Sequence, residues 1–351
     1  MVDILKKSIF SICLTVLLLV PPNFTINERA FKISQTEIYG FNPEDIKLED
    51  DAFHNFNDFN CVEWWYFDAN LNDGYSIQII LYVFAIINYK IALTSYKIFK
   101  DGVLVCNKEK FYLKNNFYLS TKTPIFIVDE KTVMRGYIDK LTGKWIYDLN
   151  LEIDDSKIDL RFIGKTKGFK GKLNIGSWAV ILPNADVNGK ITIKNLCSEV
   201  YGYGYHDHNW DMKIKVLRYF GWYWGRIIFS NYSLVFYNIM YNRFCYSQMA
   251  LVISNESSYI AVKPEDIYFI PRNFQFKNFR LIPHRFEIIG KTKNMLLQLN
   301  LTALYLHHGA RTYGIRNYWM YFVKTDGHLF VNSEKYYLIY GNQIAELWRF
   351  R

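Results

Sequence analysis

The feature that most constrains this chain is its punctuation. Short apolar-aromatic runs, among them "YSIQIILYVFAI", "KWIYDLNLEI", "KITIKNL", "YSLVFYNIMY" and "NMLLQLNLTALYL", recur between turn signals. Asp73-Gly74, Asp101-Gly102, Asn188-Gly189 and Asp326-Gly327 are hairpin dipeptides, because glycine tolerates the positive φ that tight turns require. Several runs alternate apolar with polar, as half-buried antiparallel strands do. Beyond the N-terminus no long stretch keeps a helical period, and one short helix is expected near the end, around "NQIAELWRF". Aromatic residues make up 18% of the chain, which favours strands further. The pattern predicts an all-β fold, a barrel or a sandwich, with few short helices.

A length of 351 residues calls for one large or two medium domains. A faint repeat points to two. Trp65-Tyr66-Phe67 corresponds to Trp222-Tyr223-Trp224, and a Tyr-Ser pair follows each at the same distance, Tyr75-Ser76 and Tyr232-Ser233. Each copy reads as an aromatic strand, a tight turn and a second apolar strand. The expected division is a signal-like or anchor segment over 1–29, one barrel over 30–195 and a second over 196–351.

The N-terminus, "MVDILKKSIFSICLTVLLLVPPN", has two lysines ahead of an apolar run that two prolines stop. The run is shorter than the roughly 20 residues a bilayer span needs. It suits a signal peptide or short anchor, so export or membrane association is the expected localisation, with a cytoplasmic chain the alternative. The net charge of +9 reads mainly as a solvated basic surface. Its densest part, "RFIGKTKGFKGK", is expected at a hairpin tip that could meet anionic lipid; no nucleic-acid module surrounds it. The five cysteines, widely spaced and without a C-x-x-C pair, argue against a zinc site or a disulfide framework, though one or two bridges stay open.

Polar chemistry concentrates in "GYGYHDHNWD", Gly202 to Asp211. In an extended strand His206, His208 and Trp210 share one face with Gly202 and Gly204; Tyr205, Asp207 and Asn209 take the other. The first face offers room beside the glycines and imidazole proton donors at its end. Asp207 or another carboxylate would fix a histidine tautomer. The bland alternative is a polar strand end at a domain junction. Metal binding by His206 and His208, completed by Asp211 or His284, lacks diagnostic spacing, and no metal is expected. No G-x-S-x-G, G-x-G-x-x-G or P-loop occurs, so no cofactor is expected. In "GWYWGRI" Trp222, Trp224 and Arg226 share a face that could hold a ligand or pack as core. Glu63, beside Trp64 and Trp65 in "CVEWWYFDA", needs a partner if buried, and Arg226 is the expected one. His307, His308 and Arg311 are read as structural.

Taken in order, "EWWYFDANLNDG", "GYGYHDHNWD" and "GWYWGRI" resemble the motifs of the lipocalin-like CrtC/AttH group, which includes carotenoid 1,2-hydratases (hydroxyneurosporene synthase), AttH-like proteins and lipocalin-like Diels–Alderases. The resemblance implies two tandem lipocalin-like antiparallel β-barrels, with a hydrophobic pocket in or between them for an isoprenoid, polyene or other lipid-like small molecule. It implies acid-catalysed hydration of an isoprene double bond, with catalytic roles for His208, Trp210 and Tyr237 and for Asp207 as a proton partner. His206, Trp222, Trp224, Arg226, Glu63 and Trp65 would then line the ligand site. One departure stands out: where the hydratases carry an acid on the strand after the Trp-rich motif, this chain has Asn238. Three functions follow: a hydratase or isomerase (a lyase-type enzyme), a pericyclase acting by preorganisation, or a non-catalytic lipid-binding or export-linked protein.

Overall fold

The computed structural model describes residues 38–350, apart from 57–60, 87–88, 214–217, 243–244 and 312–315. The proposed leader lies outside these residues. Among them there is no α-helix, only short 3-10 turns, and no helix long and apolar enough to cross a membrane. The expected closing helix is a strand, because Gln343–Arg349 pairs on both sides, alternating its faces between two cores.

The strands form two antiparallel sheets. The first has twelve: β1 (Cys61–Leu71), β2 (Tyr75–Ile86), β3 (Tyr89–Lys100), β4 (Val103–Tyr112), β5 (Phe117–Leu119), β6 (Ile125–Val128), β7 (Lys131–Ile138), β8 (Trp145–Ile153), β9 (Ser156–Gly164), β10 (Phe169–Leu173), β11 (Gly176–Ile193) and β12 (Leu196–Lys213). The second has ten: β13 (Gly221–Phe229), β14 (Tyr232–Met240), β15 (Tyr246–Ser254), β16 (Tyr259–Ala261), β17 (Ile267–Lys277), β18 (Arg280–Thr292), β19 (Met295–Arg311), β20 (Arg316–Val331), β21 (Glu334–Tyr337) and β22 (Gln343–Arg349). Both follow one plan. The first strand pairs with the last, β1 with β12 and β13 with β22, and each sheet curls around its own apolar core. The sheets divide after Lys213 rather than at the expected 195/196, because β12 completes the first barrel by pairing with β1 and β11.

The repeat is real but out of step by one residue on its first strand. In β1 and β2 Asn70 faces Ser76, while in β13 and β14 Phe229 faces Tyr232. The first turn is therefore one residue longer, so Trp65 is equivalent to Tyr223, Tyr66 to Trp224 and Asp68 to Arg226.

Asp73-Gly74 and Asp101-Gly102 turn as expected, with positive φ at both residues. Asn188-Gly189 and Asp326-Gly327 do not; they lie inside β11 and β20. Those glycines serve close backbone approach instead: a Cβ on Gly189 would sit 2.0 Å from the Asp159 carbonyl oxygen, and one on Gly327 2.1 Å from that of Gln298. The basic stretch is not a hairpin tip either, since β9 and β10 each pair with β11 and not with one another. Lys165, Lys167 and Lys170 there face Asp186, Asp45 and Asp50.

Candidate functional site

Alternation along β12 and β1 sorts the polar residues into two layers. His206, His208 and Trp210 point into the first barrel, as expected, beside Trp65 and Phe67 from β1. Tyr205, Asp207, Tyr66 and Asp68 point the other way, into a layer between the sheets, where they meet Trp224, Arg226, Tyr237 and Glu346.

Inside the first barrel both imidazoles are fully buried. Phe67 stacks on His206 with centroids 3.8 Å apart, and Trp65 on His208 at 4.5 Å. Each ring nitrogen faces an acceptor. For His206, Nδ1 lies 2.9 Å from the Tyr66 carbonyl and Nε2 3.1 Å from Asp51 Oδ2. For His208, Nδ1 lies 3.1 Å from the Asp50 carbonyl and Nε2 2.9 Å from Glu63 Oε1. The same Glu63 oxygen is 3.1 Å from Nδ1 of His54, and the His54 backbone N–H donates to it as well. Tyr147 donates to Asp51 Oδ2 at 2.5 Å, while Trp65 donates to the Asp51 carbonyl.

Burial opposes the charge of His208, but Asp51 and Glu63 overcome it and push the ring up to about 9. Burial likewise opposes ionisation of both carboxyls, yet the imidazoles win: Asp51 is held far below the usual carboxylate range by His206 and His208, and Glu63 is lowered by His208 and His54. The result is a compact set of buried ion pairs that opens outward at one member. His54, 27% exposed, stacks on Trp210 at 4.2 Å and 4°.

Two expected pairings are corrected. Glu63 meets His208 and His54, not Arg226, which forms its ion pair with Asp68 on the opposite side of β1. Asp207 does not touch a histidine. It accepts from Trp178 Nε1 at 3.0 Å and Tyr205 at 2.7 Å, and burial raises it to about 7. Trp222, Trp224, Arg226 and Tyr237 belong with it in the inter-sheet layer, so the expected ligand set falls on two sides of one sheet. The ring group at His307 and His308 packs on Phe99 and Trp319.

Asp51, His54 and Tyr147 were not singled out from sequence. "LEDDAFHNF" carries the first two on a 3-10 turn and the loop after it, far in sequence from "HDH", and no periodicity links them. Among the described residues, the donor atoms of His54, Glu63 and His208 converge as potential metal ligands, all within 4.8 Å of one another. Of the two residues considered as completing a His206–His208 site, Asp211 accepts from Ser177 at 3.2 Å and His284 belongs to the second barrel. Cys106, Cys197 and Cys245 form no disulfide. Two cavities are described, and neither reaches His206 or His208. One of about 80 Å³ lies at the unladdered seam between β4 and β6–β8, lined by Thr94, Tyr112, Val128, Val133 and Leu151; the other, about 330 Å³, is a polar cleft at Lys165–Gly168.

Two large curled antiparallel sheets, packed face to face through an apolar, aromatic layer in which buried polar groups are embedded, define a lipocalin-like fold. No family model and no curated protein matches the chain. Solved structures do. A protein provisionally designated AttH from Nitrosomonas europaea matches with TM-score 0.63 at 15% identity, over 87% of this chain and 96% of its own. CghA, solved with Sch210972, gives 0.50 at 11% over 83% and 88%, and kievitone hydratase from Nectria haematococca 0.47 at 11% over 88% and 98%. The fold is the one shared with the AttH-designated protein from Nitrosomonas europaea.

Proposed function

We propose that this chain is a lipocalin-like enzyme that transfers protons on an apolar small molecule at the His54–Glu63–His208 rim of the first barrel. The observation that carries the reading is a single buried Glu63 oxygen shared by a buried imidazole and a solvent-facing one. A carboxylate on Nδ1 of His54 fixes its tautomer and leaves Nε2 to work, the arrangement general acid–base catalysis needs. Trp210 holds that ring flat, and the side chains of Phe53 and Phe56 beside it, with Lys90 over both rings, suit an apolar substrate with a polar edge.

The electrostatics refine the expected chemistry. An imidazolium whose pKa is pushed to about 9 is a weak acid. Protonation of an isolated alkene needs a far stronger one, so hydration of an isoprene bond suits this cluster poorly. Proton movement next to a carbonyl, where a charged donor steadies a developing oxyanion, suits it well. A small-molecule ligand is in keeping with a neighbour solved with Sch210972.

The second reading is a non-catalytic binding protein. It draws on His206, both of whose ring nitrogens are already engaged within the fold, by the Tyr66 carbonyl and by Asp51. The discriminating experiment extracts small molecules from the purified full chain, identifies them by mass spectrometry, and returns them to the protein in D2O. Wild type should catalyse deuterium incorporation, and His54→Gln should lose at least a hundredfold in rate while retaining the ligand. Binding without exchange in wild type would sink the enzymatic reading.

A further inference from the structure

The basic stretch expected to meet anionic lipid pairs its lysines with acids of this chain. The β17–β18 hairpin combines basic and apolar groups in another way. Between Asp266 and Glu287 the chain carries no acidic residue, but it holds Arg272, Lys277, Arg280 and Arg285. β17 is the last strand of its sheet, and the β18–β19 ladder begins at Arg285, so the end of the hairpin is a two-stranded ribbon. Ile282 is fully buried in the second core, which turns the opposite face of the ribbon outward.

Pairing places Phe276 opposite Leu281 and Phe274 opposite Pro283 on that outer face, and Phe279 sits in the turn. The three phenylalanines and Leu281 are each more than half exposed. Together they present on the order of 500 Å² of apolar surface, a patch of the size that marks an interaction site. Phe279 has φ 60°, so its ring is kept at the tip against the preference of the backbone. One step toward the sheet on the same face, Arg272 lies opposite Arg285, and Lys277 lies opposite Arg280 beside the turn. An apolar tip backed by a cationic belt suits a membrane interface, where rings enter the acyl boundary and cationic groups stay at the phosphates.

We propose that the β17–β18 hairpin docks this protein on the surface of an anionic bilayer, with Phe274, Phe276 and Phe279 in the acyl boundary and the Arg/Lys belt at the lipid phosphates. A second copy of the chain fits the hairpin less well. Strand addition along β17 is hindered, since Pro271 has no N–H to offer and Asn273, at φ 52°, interrupts the extended edge. The patch is smaller than the roughly 800 Å² that each partner of a stable protein pair buries, and two such hairpins would bring like charges together. The docking surface belongs to the second barrel and does not depend on the chemistry of the His54 rim.

The test uses the full chain with vesicles of phosphatidylcholine, or of an equimolar mixture of phosphatidylcholine and phosphatidylglycerol. Each contains a trace of phosphatidylcholine with a diazirine in its acyl chain, so that label reports entry into hydrocarbon. After irradiation, mass spectrometry should find label between Phe274 and Leu281 of wild type on the anionic vesicles, and at least tenfold less on the zwitterionic ones. Lys277→Gln combined with Arg280→Gln should lower that label at least tenfold, since each basic group at an anionic surface contributes about a fivefold preference. It should leave the melting temperature unchanged, because neither side chain is buried. His54→Gln should be labelled as wild type is. Label confined to other segments, equal label on both vesicles, or full label in the double variant would each overturn the proposal. So would a dimer of vesicle-free wild type in sedimentation that Phe276→Ser dissociates, which would assign the face to a second copy.

Discussion

At the scale of single residues, His208 is held by charges that lie far from it in sequence. Its folded pKa, raised to about 9, exceeds the ordinary imidazole value, so the ring's ion pairs stabilise the fold fully below about pH 6.5. That contribution is lost as pH rises through 9. The melting temperature of wild type should therefore fall between pH 6.5 and 9. In His208→Gln it should start lower, by about 3 kcal/mol of stability because Asp51 and Glu63 lose a buried partner, and change less over the same range. Calorimetry across that range checks both statements; parallel curves would mean that His208 does not titrate there. Alternation along "GYGYHDHNWD" made the inward direction of His206 and His208 legible, and it equally placed Asp207 on the opposite face. The partners were not legible. Asp51 reaches His206 across 155 positions and Tyr147 reaches Asp51 across 96, separations that only the closure of the barrel brings together.

At the scale of elements, strands were easier to read than turns. "YSIQIILYVFAI" coincides with β2 because its apolar positions fill one core on one face. Turns were legible only where Asp-Gly announced them. Asp129-Glu130, Lys194-Asn195, Asn278-Phe279 and Asn332-Ser333 all turn with positive φ and without glycine. Asn278-Phe279, which joins β17 to β18, is the costliest of these, since a bulky residue takes the position where glycine is favoured, with φ 60° and 91% of Phe279 exposed. Phe279→Gly should relieve the backbone without losing buried area and stabilise the protein by about 1 kcal/mol. Urea unfolding monitored by circular dichroism reads this as a higher midpoint at unchanged slope. A lower midpoint would show that the extra freedom glycine gives the unfolded chain outweighs the relief of the turn.

At the scale of the whole molecule, the two barrels meet through an apolar, aromatic layer, and the buried polar groups embedded in it follow their shared plan. Asp68 and Arg226 occupy equivalent places on the first strand of each barrel and form an ion pair across the junction. Asp207 and Glu346 occupy equivalent places on the last strand of each, by their pairing with Tyr66 and Trp224. Glu346 accepts from Tyr66 at 3.1 Å and Tyr318 at 2.6 Å, and Asp207 accepts from Tyr205 and Trp178. Burial raises each carboxyl to about 7. A raised carboxyl favours the fold while it stays protonated. The unfolded chain ionises these groups near pH 4, the folded one near 7, so their contribution is full below about pH 4 and is lost as pH rises to 7. Asp51 and Glu63, with lowered values, act in the opposite sense and lose their contribution as pH falls below 4. Stability should therefore peak in mildly acidic solution. Asp207→Asn combined with Glu346→Gln keeps the shape of the junction and removes its ionisable protons, so it should flatten the fall between pH 4 and 7 and stabilise the protein at pH 7.5 relative to wild type. Melting curves of both proteins across that range decide it. A double variant that is less stable at pH 7.5 would mean that the junction relies on charged carboxylates.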